Sequence, residues 1–434
     1  MLLIFSQATT PRLQYILKLL FNELLGVEFK ITPSEKEFID FAGAKLNYSE
    51  QNFADIITIK PHSLLFEDDI KPQEISLIEW KHNPAFFETK SRAEIPFDLF
   101  AAAFYLVSRY EEYLPFQQDG HGRFEADQSL AFKYDFLRKP LINRWVLKLE
   151  SFLKKKYPEL RFYKRNYQFI PTVDIDMIYK YRGKGAFRNF AGYWLDVFKN
   201  RREKLAERRK VLADKIQDPF DTYYKFRDFH VSLQNKPIYF LLTATHGKYD
   251  KNIHPLNDEF INMARVLYTR AELGIHPSYK SNESIYTLKW ELEHLSQTVD
   301  EPITKSRQHY LKMRMPDTYR NLIKMGIKDD YTMGYAMQPG FRASIAHSFN
   351  FFDLDANEET ALRVHPFMVM DVTLRYYLNA DFDEAKEMIN KLIRRTQKVG
   401  GTFISLWHNE SLSESEDWIG WTNIYEYLVK RARK

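Results

Sequence analysis

Two aspartates, Asp174 and Asp176, follow an apolar run from Tyr167 to Ile170 that has the pattern of a buried strand. Residues two apart on a strand point to the same side, so both carboxylates could face the mouth of a sheet or barrel. Neighbouring carboxylates repel each other, and a cation or a shared proton would relieve that repulsion. One carboxylate could then bind a metal ion while the other acts as a base. The alternative is a turn or a helix N-cap.

Two histidines, His276 and His408, also stand at the ends of strand-like runs. A single histidine after a strand can equally be structural. His408 is accompanied in the sequence by three tryptophans, Trp407, Trp418 and Trp421. A histidine beside aromatic rings could act as a general acid above a sugar-binding platform. Three polar sites at three strand ends suggest one active site assembled from distant segments.

Composition limits the possible classes of function. The hydrophobic fraction of 44% and the aromatic fraction of 16% indicate a globular protein. A net charge of +5 on 434 residues does not call for a nucleic-acid partner. The absence of cysteine excludes disulfides, thiolate catalysis and cysteine-based zinc sites. We find neither a signal peptide nor an apolar run long enough to cross a membrane, and we expect a cytoplasmic protein.

The first part of the chain has the pattern of a small α/β domain. We predict strands at 1–6, 27–31 and 56–59 and helices at 12–25, 96–113 and 140–156. A lysine run followed by Pro158 is the most plausible boundary, because proline breaks a helix. The predicted domains are therefore residues 1–158 and 159–434.

In the second part, strand and helix patterns alternate regularly. We predict strands at 167–173, 238–242, 273–276, just before 307, near 362–364 and at 402–407, and a helix at 383–398. Repeated βα units imply a parallel sheet, either open or closed into a barrel, with reactive groups at its carboxyl end. The basic segment 199–215 is interpreted as a solvated helix, or alternatively as a contact for an anionic polymer or a membrane surface.

In their order along the chain these motifs resemble the polysaccharide deacetylase family, whose NodB homology domain defines carbohydrate esterase family 4. The matching segments are Thr172-Val173-Asp174-Ile175-Asp176, Glu272-Leu273-Gly274-Ile275-His276-Pro277-Ser278, Ser306-Arg307-Gln308-His309 and Leu406-Trp407-His408-Asn409. The resemblance spans about residues 170–427 and implies a distorted (β/α) barrel. It implies that Asp174 is the catalytic base and that Asp176 and His276 bind a metal ion. It also implies that His408 protonates the leaving group and that Arg307 orients Asp174.

This chain departs from the family pattern at Lys280, which stands where a second metal-binding histidine is expected. A catalytic zinc site usually has three protein ligands. His309, a water or Asp330 could complete the set, or no metal binds and Lys280 neutralises the aspartate pair. Arg342 competes with Arg307 for the role beside Asp174. Arg342 and Asp330 are also candidates for substrate binding.

The segments around Arg109 and Asp119 resemble an uncharacterised domain that precedes some bacterial deacetylase-like domains, and this resemblance implies no activity. We interpret the cluster of Arg109, Glu111 and Glu112 as a structural ion-pair network.

The sequence thus predicts a hydrolase with a divalent metal ion, best matched by zinc, that removes an acyl group from an N-acetylated sugar or polysaccharide. The alternative is a catalytically silent carbohydrate-binding or scaffold protein on the same fold. A third option is an amidohydrolase acting on a small amide that is not a sugar.

Overall fold

The computed structural model describes residues 1–89 and 94–434. The first region contains a four-stranded parallel sheet in the order β2-β1-β3-β4 and a separate hairpin of β5 and β6. Its strands are β1 (Leu2–Phe5), β2 (Phe29–Thr32), β3 (Ala44–Asn47), β4 (Ile57–Thr58), β5 (Ile78–Trp80) and β6 (Asn83–Ala85). Its helices are α1 (Pro11–Leu17), α2 (Glu35–Asp40), α3 (Leu99–Val107), α4 (Leu130–Lys133) and α5 (Leu141–Lys156).

The predicted helix at 12–25 is confirmed, although it continues beyond Leu17 as a π-helical stretch to Leu25. Gly26 ends it with a φ of 66°, a left-handed conformation that glycine adopts at low cost. The predicted helix at 96–113 is shorter in the structure. It ends at Val107 because Arg109 takes a φ of 56° and starts a separate 3₁₀ turn over Tyr110–Glu112.

The second region is built on a nine-stranded sheet in the order β12-β13-β11-β10-β9-β8-β7-β15-β14. Its strands are β7 (Gln168–Ile175), β8 (Ile238–Leu242), β9 (Glu272–His276), β10 (Lys305–Ser306), β11 (Asp329–Asp330), β12 (Phe349–Asp353), β13 (Glu358–Val364), β14 (Val369–Met370) and β15 (Thr402–His408). The predicted α/β class with a barrel-like parallel sheet is confirmed, with one antiparallel exception at β12 and β13.

Helices connect most of these strands. They are α6 (Gly185–Phe198), α7 (Arg202–Leu212), α8 (Tyr223–His230), α9 (Asp258–Arg270), α10 (Ile285–Val299), α11 (Asp317–Lys324), α12 (Phe382–Lys398) and α13 (Trp421–Ala432). α12 begins with a capping box in which Asp381 and Glu384 satisfy each other's backbone N–H groups. Within residues 1–89 and 94–434, the helices are all too short or too polar to cross a bilayer.

The two regions pack against each other through one continuous apolar core. The ring of Phe352 on β12 lies 5.0 Å from Tyr15 and 5.1 Å from Phe104, centroid to centroid. Both of these partners belong to the first region. Burying such rings together excludes water from the contact between the regions.

The strand register aligns the polar residues at one edge of the sheet. β15 and β7 pair in parallel over seven residues, and this register sets His408 opposite Asp174. β7 in turn sets Asp174 opposite Phe240 of β8, which pairs with Gly274 of β9. A Cβ atom at Gly274 would lie 2.6 Å from the Phe240 ring and 2.9 Å from the Lys305 carbonyl oxygen, so only glycine fits there.

Candidate active site

The polar residues predicted from the motifs meet at the carboxyl end of the parallel sheet. Asp174 lies within β7 and Asp176 just after it, while His276 and His408 are the last residues of their strands. They border a pocket of about 230 Å³. Its wall consists of Arg123, Asp174, Asp176, His276, Gln308, His309, Tyr310, Leu311, Ala336, Met370, Val372, Tyr376, Tyr377, Leu406, His408 and Glu410. The pocket thus lies at the carboxyl ends of the strands, where the sequence predicts that reactive groups collect.

Asp174 is buried and held by one arginine. Nη1 of Arg307 donates to Oδ1 of Asp174 at 2.8 Å and to the Thr172 hydroxyl at 2.7 Å. Nε of Arg307 donates to the Tyr331 carbonyl oxygen at 2.9 Å. The guanidinium lies over the Phe240 ring at 4.6 Å. Arg307 is therefore fixed by packing and by the backbone, and it leaves Oδ2 of Asp174 on the side of His276, 3.8 Å from Nε2.

Asp176, His276 and His309 form a group that could hold a metal ion. One ligand atom from each lies within 4.8 Å of the others. Nε2 of His276 lies 3.2 Å from Oδ1 of Asp176, and Nε2 of His309 lies 3.4 Å from Oδ2. Oδ1 of Asp176 is buried and has no hydrogen-bond partner of proper geometry within the described residues. A carboxylate that has one orphaned oxygen and faces two imidazole nitrogens fits a divalent cation, and one carboxylate with two histidines is a donor set typical of zinc.

The far nitrogen of each imidazole is fixed by a second partner. Nδ1 of His276 contacts the Arg307 carbonyl oxygen at 2.6 Å, and Nδ1 of His309 contacts Oδ1 of Asp250 at 2.8 Å. Metal-binding histidines almost always have such a partner on the other nitrogen, because it sets tautomer and ring orientation. Both Nε2 atoms are thereby left to face Asp176.

The charges of these groups depend on one another. Burial lowers the pKa of His309, but Asp176 and Asp250 outweigh it and raise the pKa to about 9. Burial would raise the pKa of Asp176, yet His309 and His276 hold it well below its usual range. Positive charge is thus favoured beside Asp176, whether protons or a metal ion supply it.

His408 lies on the other side of Asp176, with Nε2 3.9 Å from Oδ2 of that residue. Its Nδ1 contacts Oδ1 of Asp371 at 2.8 Å, and its backbone N–H donates to Oδ2 at 2.7 Å. Burial lowers the pKa of His408, but Asp371, followed by Asp176 and Asp174, raises it to about 10. A protonated imidazole held this way can donate a proton from Nε2 into the pocket.

Asp250 and Asp371 are functional candidates that the sequence motifs do not reveal. Asp371 directly follows the apolar pair Val369-Met370 of β14, a strand too short to be recognised from periodicity. Asp250 lies in an irregular loop between β8 and α9, where no pattern marks it.

Other residues predicted for the site lie elsewhere, and these predictions are corrected. Trp407, Trp418 and Trp421 are all buried. Trp407 points from β15 into the core, where its ring lies 5.2 Å from that of Tyr425. They present no open face for a sugar. The exposed rings at the pocket are instead those of Tyr310, Tyr376 and Tyr377.

The positions of Arg342, Asp330 and Lys280 in the structure decide the remaining alternatives for the site. Arg342 donates to Glu112 at 2.7 and 2.9 Å and not to Asp174, so it does not compete with Arg307. Asp330 is fully buried and accepts hydrogen bonds from Ser306 and Thr332 outside the pocket wall. Lys280 is exposed and makes no ion pair with either aspartate. His309, and not Lys280, completes the group around Asp176.

The predicted ion-pair network is confirmed and links the two regions. Arg109 pairs with Glu111 at 2.8 Å and with Glu112 at 2.7 Å, and Glu112 also pairs with Arg342 of the second region. Arg109, Glu112 and Arg342 are buried, so each charge depends on its partners for solvation.

The first region also contributes to the pocket wall. Arg123 lies in the pocket, and its Nη1 donates to the Tyr310 carbonyl oxygen at 2.6 Å. Asp119 and Glu125 fix the same guanidinium at 2.7 and 3.1 Å. Tyr310 and Leu311 have φ values of 60° and 51°, which are unfavourable for side chains of that size. Arg123 thus holds a strained turn directly after His309.

One family model matches the first part of the chain. Residues 2–158 match the model of a family of unknown function, DUF7033. No curated protein matches the chain.

Among solved structures, the likeness is to deacetylase folds at low identity. A protein from Mycobacterium smegmatis, provisionally described as a polysaccharide deacetylase, is 11% identical with a TM-score of 0.38, over 60% of this chain and 83% of its own. The polysaccharide deacetylase Bc1974 from Bacillus cereus is 12% identical with a TM-score of 0.28, over 62% and 86%. A CE4 family pseudoenzyme from Bacillus anthracis is 10% identical with a TM-score of 0.29, over 62% and 63%. These likenesses concern the fold and assign no role to any residue.

Proposed function

We propose that this protein is a metal-dependent hydrolase that removes an acetyl or other acyl group from an N-acetylated sugar or polysaccharide. The observation that carries the proposal is the arrangement of three kinds of group around one pocket. A carboxylate held by arginine (Asp174), a metal-binding group (Asp176, His276 and His309) and an imidazole held by a carboxylate (His408) all face it. Amide hydrolysis needs a base that activates water, an electrophile that polarises the carbonyl group and an acid that protonates the departing nitrogen.

Asp176, His276 and His309 would hold the cation, for which we propose zinc. When bound, such an ion supplies Lewis acidity toward a carbonyl oxygen and lowers the pKa of water. Asp174, with Oδ1 fixed by Arg307, accepts the proton of the attacking water on its other oxygen. His408 donates a proton to the departing nitrogen, and Asp371 keeps its Nδ1 from competing for that role. The two proton transfers thus belong to different side chains.

For the sugar we propose stacking on the exposed tyrosines at the pocket mouth. Tyr376 and Tyr377 are 50% and 42% exposed, and the ring of Tyr310 lies 4.7 Å from that of His309 in the same pocket wall. Rings with one apolar face and one polar tip suit a carbohydrate surface. They take the place that the sequence had suggested for the buried tryptophans.

The decisive experiment separates metal binding from turnover. In Asp174→Asn we expect loss of acetate release from a chitooligosaccharide while stoichiometric zinc is retained. In Asp176→Ala and His276→Ala we expect loss of both. His365→Ala is the matched control, because His365 also contacts an aspartate, Asp329, at 2.7 Å but is not in the pocket wall. Full activity in Asp174→Asn would overturn the role of the base.

Metal content also discriminates between an enzyme and a binding protein on this fold. Purified protein that binds chitooligosaccharide but no divalent ion, and that releases no acetate when zinc is added, would favour the catalytically silent alternative. Activity toward a small amide but toward no N-acetylated sugar would instead favour the amidohydrolase reading.

A further inference from the structure

Helix α6 presents an apolar stripe to solvent. Phe187, Phe190, Trp194, Leu195 and Phe198 are all exposed, from 44% for Trp194 to 83% for Phe187. Their spacing of three and four residues places them on one face of the helix. The neighbouring residue on that face, at position 191, is an exposed alanine. The exposed face of α6 is therefore apolar along its whole length, which is unusual for a helix in contact with water.

The opposite face of α6 is fixed to the rest of the protein. Asp196 is buried and pairs with Arg208 of α7 at 2.8 Å. Asn189 donates to the Tyr181 carbonyl oxygen at 3.1 Å and accepts from Arg208 at 3.2 Å. These polar contacts fix the orientation of α6 about its own axis. The apolar stripe therefore faces solvent. Turning the stripe inward would break buried ion pairs.

Basic residues adjoin the stripe. The segment 199–215 contains eight lysines and arginines and three acidic residues, an excess of five positive charges that equals the net charge of the whole chain. Five of these bases are exposed and form no ion pair with a described residue: Lys199, Arg202, Arg209, Lys210 and Lys215. Positive charge is thus concentrated at this one place, while the remainder of the chain is balanced.

We propose that α6 and α7 form a docking surface for an anionic membrane. Phenylalanine, tryptophan and leucine on one face with lysine and arginine beside them are the composition of helices that lie in a lipid interface. The apolar side chains would enter the boundary between headgroups and acyl chains, and the bases would contact anionic headgroups. A second copy of this chain fits less well, because it would bring two basic segments together. This inference does not depend on the reaction proposed for the pocket.

Vesicle binding tests the proposal on the full-length protein. We expect the wild type to sediment with vesicles of phosphatidylcholine mixed with phosphatidylglycerol, less with phosphatidylcholine alone, and less as salt rises. Phe190→Ser combined with Phe198→Ser should weaken binding by about tenfold or more. Arg209→Glu combined with Lys210→Glu should remove the preference for the anionic lipid. Tyr286→Ser is the control, since Tyr286 is an equally exposed aromatic residue, at 83%, on a different helix, α10.

Two further readouts make the outcome decisive. Brominated acyl chains should quench the fluorescence of the wild type but much less that of Trp194→Phe, which should still bind. Absence of binding to anionic vesicles by the wild type would overturn the proposal. A wild-type dimer that the serine substitutions convert to a monomer would also overturn it, because the stripe would then be an interface between copies. The substituted side chains are exposed, so thermal unfolding should stay near that of the wild type.

Discussion

Replacing Asp250 should weaken metal binding although Asp250 is not itself a ligand. Its Oδ1 lies 2.8 Å from Nδ1 of His309, and both side chains are buried, at 8% and 5% exposure. Loss of such a partner typically costs about 10- to 100-fold in metal affinity, or about 1.4–2.7 kcal/mol. Asp250→Asn keeps an oxygen that can accept from Nδ1 and removes only the charge, so we expect a loss of about tenfold. Asp250→Ala removes the acceptor as well, and we expect about 100-fold.

The assay is competition for zinc against a chromophoric chelator near neutral pH. Asp329→Asn is the matched control, because Asp329 contacts His365 at 2.7 Å outside the pocket wall. Its zinc affinity should equal that of the wild type. Zinc affinities for both Asp250 variants that equal the wild-type value would refute the reasoning, since His309 would then need no orienting partner. An equal loss in both would show that charge alone matters.

Three further changes should alter stability. Glu112→Ala leaves the buried Arg342 without a carboxylate and the buried Arg109 with Glu111 alone. This change should lower the free energy of unfolding in urea by about 3–5 kcal/mol, whereas Glu359→Ala at a surface pair should cost under about 1 kcal/mol. Burial lowers the pKa of His230 to about 3. The unfolded chain therefore gains a proton below about pH 6.5 that the folded protein does not accept. Stability should fall with acidification, by about 2 kcal/mol from this group between about pH 7 and 5, and His230→Gln should flatten that slope in urea titrations at each pH. Gly274→Ala should push the Phe240 ring away and lower both the melting temperature and the activity, and an unchanged melting temperature would contradict the packing argument.

Sequence patterns were sufficient to predict the strands and the candidate site residues where a long apolar run ends at a polar residue. β7, β9 and β15 were recognisable because each is buried and continuous, and the catalytic and metal-binding candidates stand at their ends. The order of these strands along the chain then placed the candidates at one edge of a parallel sheet. His309 was recognisable only as a neighbour of a motif, since no strand precedes it directly.

The rest depends on contacts between distant segments. Whether a tryptophan such as Trp407 faces the pocket or the core is set by which helix covers the other side of its strand, and α13 covers it here. Asp250 and Asp371 become relevant only through the imidazoles they contact, 59 and 37 residues away in the chain. Two-residue strands such as β11 and β14 carry too little periodicity to be seen.

The contact from Arg123 to the Tyr310 carbonyl oxygen has a consequence for how the chain can be divided. A polypeptide beginning at residue 159 would keep the proposed base, the proposed acid and every proposed metal ligand, yet its pocket would lack Arg123. The left-handed turn at Tyr310 would lose its anchor, and Arg342 would lose the only carboxylate it contacts among the described residues. The first region thus forms part of the pocket wall. Exchanging its loop 119–125 for another sequence would change which molecules fit while leaving the reacting groups untouched.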